Sequence, residues 1–465
     1  MAELLLAHGY FLYEDPKELQ IMKPYAPLGI LYLCSHLRRQ GFDVEVFDTT
    51  FSSREALYLH LRSERPSVLG IYANLMTRKN VVEILKVARE AGWKTIVGGP
   101  EPGAYALEYL QSGADFVVFG EGELTMAELL ESFRCGTTDS YVSIAGIAYL
   151  DSAGQMHETA QRSQIPDLDG QPWPARQAID IDRYVKTWRE AHGKGSVNFI
   201  TARGCPYKCR WCSHQVFGQT HRRRDPLLVV DEVEWLLNTY NPDMVWVSDD
   251  VFTINHQWIR QYAAEMRTRG LHIPFECISR ADRLNAEMLD LLAELGCFRI
   301  WIGSESGSQR ILDSMDRGVK IEQVQQAIAM SRERGIQSGM FLMWGYEGEE
   351  LEDIEATIRH VSISQPDIFF TTVSYPIKGT PYYKKMSDRL VQLQPWATSS
   401  DRELKIQGRH SQKFYRYADA LLKEEVQLAR LAGTPEAESE SAGRLRLNIE
   451  QTRAGLLSSL SEVDA

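Results

Sequence analysis

Short apolar runs alternate with stretches of helical period twice along this chain, and that repeated alternation restricts the fold more than any other property. A strand that is apolar throughout needs cover on both faces, which a parallel sheet flanked by helices provides. In the first 150 residues the runs Leu4–Ala7, Val44–Phe47, Val68–Ala73, Thr95–Val97 and Phe116–Phe119 alternate with helical stretches near 28–40, 53–64, 79–91 and 124–133. Gly41, Gly92 and Gly113 stand where those helices should end, since glycine accepts the left-handed conformation of a helix C-terminus. A second series begins at Val197, with runs Val197–Thr201, Met244–Ser248, Phe275–Ser279, Phe298–Gly303, Gly339–Met343 and Ile368–Ser374. Helices are expected near 226–240, 256–269, 285–295, 308–315, 320–334 and 350–363.

The α/β organisation that follows is a doubly wound, Rossmann-like domain over 1–145 and a partial TIM-type barrel over 196–390. Six units fall short of the eight that close a barrel. Residues 146–195 read as a linker, because Ile165-Pro166-Asp167 and Pro172-Trp173-Pro174 cannot sustain a helix or a central strand; Trp173 and Tyr184 would pack at its seam. Residues 391–465 read as a helical extension. Phe414, Tyr417, Leu421, Leu422, Val426, Leu428 and Leu431 form an apolar stripe over 412–432, followed by a loose polar segment at 434–442 and a last helix at 443–460.

Composition removes several function classes. A net charge of −12 over 465 residues argues against a broad nucleic-acid-binding face. The local run Arg222-Arg223-Arg224 reads as solvated loop charge, with an anionic substrate contact as the alternative. No stretch approaches the roughly 20 apolar residues of a membrane span, and the start lacks a basic flank. Of seven cysteines, Cys34, Cys135, Cys277 and Cys297 are scattered, as core thiols in a reducing cytoplasm would be.

The other three lie in Cys205-Pro206-Tyr207-Lys208-Cys209-Arg210-Trp211-Cys212. The spacing C-x3-C-x2-C gathers three thiolates without a fourth ligand, so an iron–sulfur cluster held there keeps one iron open to another molecule. A structural zinc site closed by His214 is the competing reading, although zinc sites usually find their fourth ligand in a paired Cys or His motif.

From roughly 195 to 385 the chain resembles the radical SAM superfamily. The resemblance implies that Cys205, Cys209 and Cys212 bind a [4Fe–4S] cluster whose free iron chelates S-adenosylmethionine (SAM), and that one electron cleaves the sulfonium to give a 5′-deoxyadenosyl radical. Polar residues at the strand ends are the SAM candidates. After the second strand Asp250 would contact the methionine amino group, although either Asp249 or Asp250 could instead cap the next helix. After the third, Arg280 could hold the methionine carboxylate by a two-pronged contact. After the fourth, Glu305 would face the ribose, with an ion pair to Arg299 or Arg310 as its competitor. Gly339, opening the fifth-strand segment Gly339–Gly345, would let backbone approach the adenine closely. Tyr375-Pro376-Ile377-Lys378-Gly379-Thr380-Pro381 resembles a turn that closes the barrel mouth near substrate; Tyr375 and Tyr383 read as packing aromatics or substrate contacts.

The N-terminal part resembles the cobalamin-binding domain that precedes many radical SAM domains. Lys23–Gly29, Val97-Gly98-Gly99-Pro100 and Gly120-Glu121-Gly122-Glu123 carry this likeness. It implies that loops at Asn74–Thr77, Gly98–Glu101 and Gly120–Glu123 cradle the corrinoid, with Asn74, Gly98, Gly99, Gly120 and Glu121 as the contacts. The usual D-x-H-x-x-G signature is missing, and His8 lacks its flanking Asp and Gly, so cobalt is expected with no protein histidine below. Two reactions fit: methylation of an unactivated carbon of a small molecule, with cobalamin as methyl carrier, or hydrogen abstraction leading to cyclisation, oxidation or dehydration, with or without cobalamin. A non-enzymatic corrinoid or cluster carrier is the third reading. An electron donor such as flavodoxin or ferredoxin is the expected protein partner.

Overall fold

The computed structural model describes residues 2–136, 138–214 and 216–463. Strands β1 (Leu4–His8), β2 (Val44–Phe47), β3 (Val68–Tyr72), β4 (Lys94–Gly98) and β5 (Phe116–Val118) match the five expected runs. They pair in parallel in the order β2-β1-β3-β4-β5. Successive side chains of a strand point to opposite faces, and β1 divides accordingly. Leu5 and Ala7 join a core with Leu69, Ile71 and Val97, while Leu4 and Leu6 join another with Val68, Ile96 and Phe116. This two-sided burial is what a doubly wound sheet requires. β6 (Ile147–Leu150) and β7 (Met156–Glu158) extend the sheet by two antiparallel strands.

The expected linker is more ordered than its prolines suggest. Helix Ile181–His192 lies inside it, capped by Asp180, whose carboxylate accepts from the Arg183 amide at 3.0 Å. Ile181, Tyr184, Val185 and Trp188 are buried at the i, i+3, i+4, i+7 positions of one helical face. The proline argument holds only as far as Pro174; beyond it the apolar period of Ile181, Tyr184, Val185 and Trp188 decides the structure.

After β8 (Ser196–Phe199) a short hairpin pairs β9 (Ala202–Arg203) with β10 (Arg222–Arg223). Strands β11 (Met244–Val247), β12 (Phe275–Ser279), β13 (Cys297–Glu305), β14 (Gln337–Trp344) and β15 (Ile368–Val373) follow, each preceded by a helix. The sheet they make with β8 has six strands in the order β15-β14-β13-β12-β11-β8, the sequential arrangement of a partial barrel. Beyond it, helix Gln412–Leu431 buries Phe414, Leu421, Leu422 and Val426. The segment expected to be loose is a short helical turn, Pro435–Glu438, and the last helix, Glu440–Ser458, starts earlier than expected because Ser439 caps it through the Ala442 amide.

The chain forms two compact units. One comprises Met1–Pro206, Ser213–Trp246 and Gln394–Glu403, the other Tyr207–Cys212, Val247–Leu393 and Leu404–Ala465. Among the described residues no helix is long and apolar enough to cross a membrane.

Candidate functional site

In the second unit, Glu305 ends β13 at a register shift between Gly303 and Glu305. Its backbone is left-handed, φ 65°, a conformation a non-glycine residue adopts at a local cost and one that re-aims its side chain. Arg299 and Arg310, the competitors named from sequence, pair elsewhere, with Glu276 and Asp353 respectively. The cation facing Glu305 is Arg317, at 4.0 Å. Burial raises the Glu305 pKa, opposed by the charges of Arg317 and Arg280.

Arg317 was missed by sequence reading. It follows Asp316, itself left-handed with φ 56°, and the guanidinium donates twice to the Gly303 carbonyl, at 2.7 and 3.2 Å. A third contact runs from Nη1 to the Cys209 sulfur, 3.7 Å away. Arg280 lies behind it, with Nη2 donating to the Arg317 carbonyl at 2.9 Å and Nε to Asp282 at 2.9 Å. Its guanidinium also stacks on Tyr207 at 3.6 Å, and the Tyr207 hydroxyl accepts from Arg283 at 2.5 Å. Arg280 Nη1 is buried without a hydrogen-bond partner.

The same stretch of cysteine loop is fixed through its backbone. The Arg210 amide donates to the Met315 carbonyl at 3.0 Å, and the Arg210 carbonyl accepts from the Tyr382 amide at 2.9 Å. Tyr382 is 1% exposed and stacks on Tyr346 at 4.5 Å, beside Trp211. Tyr375 and Tyr383, on either side of this stretch, are half-buried.

Neither Asp249 nor Asp250 caps the following helix: Asn255 does, accepting from the Trp258 amide at 3.1 Å. Asp249 is buried and Asp250 opens to solvent, where surrounding protein and the Asp249 charge raise its pKa. Gly339 serves a close approach of another kind. A Cβ there would lie 2.2 Å from the Trp301 indole, which packs flat across the neighbouring strand and donates to Glu276 at 2.9 Å.

In the first unit, the turns after β3 and β4 lie side by side. The Ala73 amide donates to the Gly98 carbonyl at 2.8 Å, and Gly99, with φ 119°, brings its Cα so near that a Cβ would sit 2.3 Å from the Ala73 carbonyl oxygen. Asn74 closes its own turn, its side-chain oxygen accepting from the Met76 and Thr77 amides. Glu101 is committed to Arg78, which also pairs with Asp401 at 2.6 Å. Glu121 is equally committed: one oxygen accepts from Arg203, the other from Arg222 and the Ile165 amide, each at 2.7 Å.

These pairs correct the reading of the arginine run as solvated charge. Arg222 binds Glu121, Arg223 donates to the Thr201 hydroxyl, and Arg224 is buried against Glu232. Arg203 pairs with both Glu121 and Glu123. It immediately precedes Gly204-Cys205, where Gly204 is left-handed, φ 86°, and has no room for a Cβ beside the Thr220 carbonyl. His8 is 4% exposed, with ring nitrogens occupied by Asp48 and the Thr49 hydroxyl at 3.1 and 2.9 Å.

Arg280, Glu305 and Cys209 thus meet around Arg317, and Ala73, next to Asn74, meets Gly98 and Gly99. Among the described residues no three His, Cys, Asp or Glu side chains converge on a single metal-ion position. A cuboidal cluster makes no such demand, because it meets each cysteine at a different iron. None of the seven cysteines is in a disulfide, and a buried cation donating to Cys209 suits a thiolate. The donor set fits.

Residues 199–361 match the sequence model of the radical SAM superfamily, and residues 21–130 that of the B12 binding domain. The chain carries a B12-binding domain ahead of a radical SAM domain, and these two domains imply an enzyme whose cofactors are SAM, a [4Fe–4S] cluster and cobalamin. An uncharacterized methyltransferase from Pyrococcus horikoshii is 28% identical over 366 residues, 76% of this chain and 77% of that protein. The anaerobic magnesium-protoporphyrin IX monomethyl ester cyclase of Cereibacter sphaeroides is 27% identical over 80% of this chain and 62% of its own length. The fold is shared with TsrM from Kitasatospora setae, a radical SAM methyltransferase solved with cobalamin and a [4Fe–4S] cluster (TM-score 0.68, 19% identity, 83% of this chain and 75% of that one).

Proposed function

We propose that this enzyme methylates an unactivated carbon of a small molecule, with SAM as methyl source and cobalamin as carrier. The observation that carries the reading is the coexistence of a B12-binding domain with a three-cysteine loop whose Cys209 shares a buried arginine with the strand-end glutamate. When bound, the cluster supplies the electron for reductive SAM cleavage and the corrinoid supplies methyl transfer. Cys205, Cys209 and Cys212 hold the cluster. Glu305 accepts from the ribose hydroxyls, and Asp250 takes the methionine amino group. Arg280, whose buried Nη1 has no hydrogen-bond partner, takes the methionine carboxylate, with the Arg317 cation beside it. The Asn74, Gly98-Gly99 and Gly120 turns offer backbone to the corrinoid, since the Glu101 and Glu121 carboxylates are already paired. A flavodoxin- or ferredoxin-like protein is the electron donor this reading requires. Cysteines that form no disulfide agree with a cytoplasmic setting.

The test is anaerobic reconstitution with iron, sulfide and hydroxocobalamin, followed by SAM, dithionite and mass spectrometry. Equal amounts of S-adenosylhomocysteine and 5′-deoxyadenosine per methylated product are expected, and Cys209→Ala should lose both the cluster absorbance and 5′-deoxyadenosine. The likeness to the Cereibacter cyclase favours one alternative, hydrogen abstraction without methyl transfer. 5′-Deoxyadenosine alone, with no S-adenosylhomocysteine, would establish that alternative.

A further inference from the structure

We propose that Arg317 sets the reduction potential of the iron–sulfur cluster through its hydrogen bond to the Cys209 sulfur, and that Arg280 is the residue that positions Arg317. The inference rests on the reading that Cys205, Cys209 and Cys212 hold that cluster.

Arg317 is 7% exposed, so its charge is poorly screened by water. Two of its nitrogens are held by one carbonyl, that of Gly303. A planar fork pinned in this way has its remaining donor aimed by geometry, and here that donor, Nη1, points at Cys209 Sγ, 3.7 Å away. Reducing a cluster adds one negative charge to the iron–sulfur core and its thiolates. A directional donor and a fixed cation at one thiolate favour the reduced form, since hydrogen bonds to the sulfurs and net charge set the potential of such centres. Glu305 stands 4.0 Å from Arg317 on the other side and offsets part of the long-range charge. The directional N–H···S bond is therefore the component that Arg317 contributes beyond a generic cation.

Arg280 determines where that bond falls. It grips the Arg317 carbonyl at 2.9 Å and the Gly318 carbonyl at 3.4 Å, braces itself on Asp282, and lies flat on Tyr207 within the cysteine loop. One side chain thereby ties the backbone of Arg317 to the loop that bears Cys209. Arg280 makes no hydrogen bond to the Cys209 sulfur; its effect on the cluster runs through Arg317.

The experiment is redox potentiometry of the full-length, anaerobically reconstituted protein without SAM, reading the reduced cluster by EPR. Iron and sulfide content come first. About four irons per chain in the wild type supports the cluster reading, and no iron would overturn that reading and the inference with it. At the wild-type midpoint, Arg317→Gln should lower the reduced-to-oxidised ratio about tenfold, which for a one-electron couple is a 59 mV shift. Arg317→Lys, which keeps the charge and loses the fork, should lower it less. Arg280→Gln should shift the ratio in the same direction, and Arg280→Lys should recover only part of the shift. Variants that load iron as the wild type does, with midpoints unchanged, overturn the proposal while leaving the cluster reading intact. Should Arg317 variants fail to load iron, wild-type protein grown with 15N-arginine decides: pulsed EPR should show nitrogen coupling to the reduced cluster, and its absence counts against the bond.

Discussion

Glu349 stands in the loop after β14 with one carboxylate oxygen accepting from the Gly345 amide at 2.5 Å and the other buried without a partner. Burial raises its pKa from 4.5 to about 8. The folded state therefore binds this proton more tightly than the unfolded chain does, so the stabilisation is complete below pH 4.5 and disappears as pH rises through 8. His360 titrates the other way. Its Nε2 bonds the Ser304 hydroxyl at 3.0 Å, and burial lowers its pKa to about 4, so its contribution is full above pH 6.5 and is lost as pH falls toward 4. Of these two groups, Glu349 is the one that contributes a slope between pH 6.5 and 8. We expect urea denaturation to show about 2 kcal/mol lost across that window, and Glu349→Gln to flatten the curve there. At this scale the cysteines were legible because their meaning lies in local spacing. Arg317 was not, because its place beside Glu305 depends on a left-handed turn at Asp316 that no pattern of residue types announces.

Elements were legible wherever hydrophobic period decided them. The parallel strands of both sheets appear nearly to the residue, because apolar runs bounded by glycine have few other solutions, whereas the antiparallel β6, β7, β9 and β10 and the side-chain pairing across elements leave no such trace. Gly339 illustrates the difference: its need for backbone space was visible, but the occupant of that space in the structure is Trp301. Gly339→Ala should cost about 1–3 kcal/mol through overpacking, measured by chemical denaturation, and Trp301→Leu in the same chain should recover most of it. A double variant no more stable than Gly339→Ala would refute this account of the contact. The buried Arg78–Glu101–Asp401 cluster gives a second test. Arg78→Met strands two carboxylates away from water, and a loss of about 3–5 kcal/mol is expected by the same measurement.

For the molecule as a whole, two rounds of strand–helix alternation indicate two α/β domains, and the family resemblances carried by the cysteine run and by the Lys23–Gly29, Val97–Pro100 and Gly120–Glu123 segments imply their cofactors and order, which the matches at 21–130 and 199–361 bear out. Substrate left no comparable mark, since specificity resides in loops whose partner is another molecule. The cobalt ligand is a test at this scale. With His8 locked to Asp48 and Thr49, EPR of the bound paramagnetic corrinoid should show no nitrogen splitting from a protein imidazole, and 15N-histidine labelling should leave the spectrum unchanged. The Glu121 carboxylate carries a consequence for the history of such chains. It stands in a turn of the B12-binding domain, yet both its arginine partners, Arg203 and Arg222, belong to the hairpin that flanks the cysteine loop. The two segments are therefore not freely exchangeable cassettes. A chimera that takes its first 145 residues from a relative without a carboxylate at this position would inherit a cysteine loop with Arg222 deprived of its acid and Arg203 left to Glu123 alone, and recombination between such genes should succeed best when the acid and its arginines travel together.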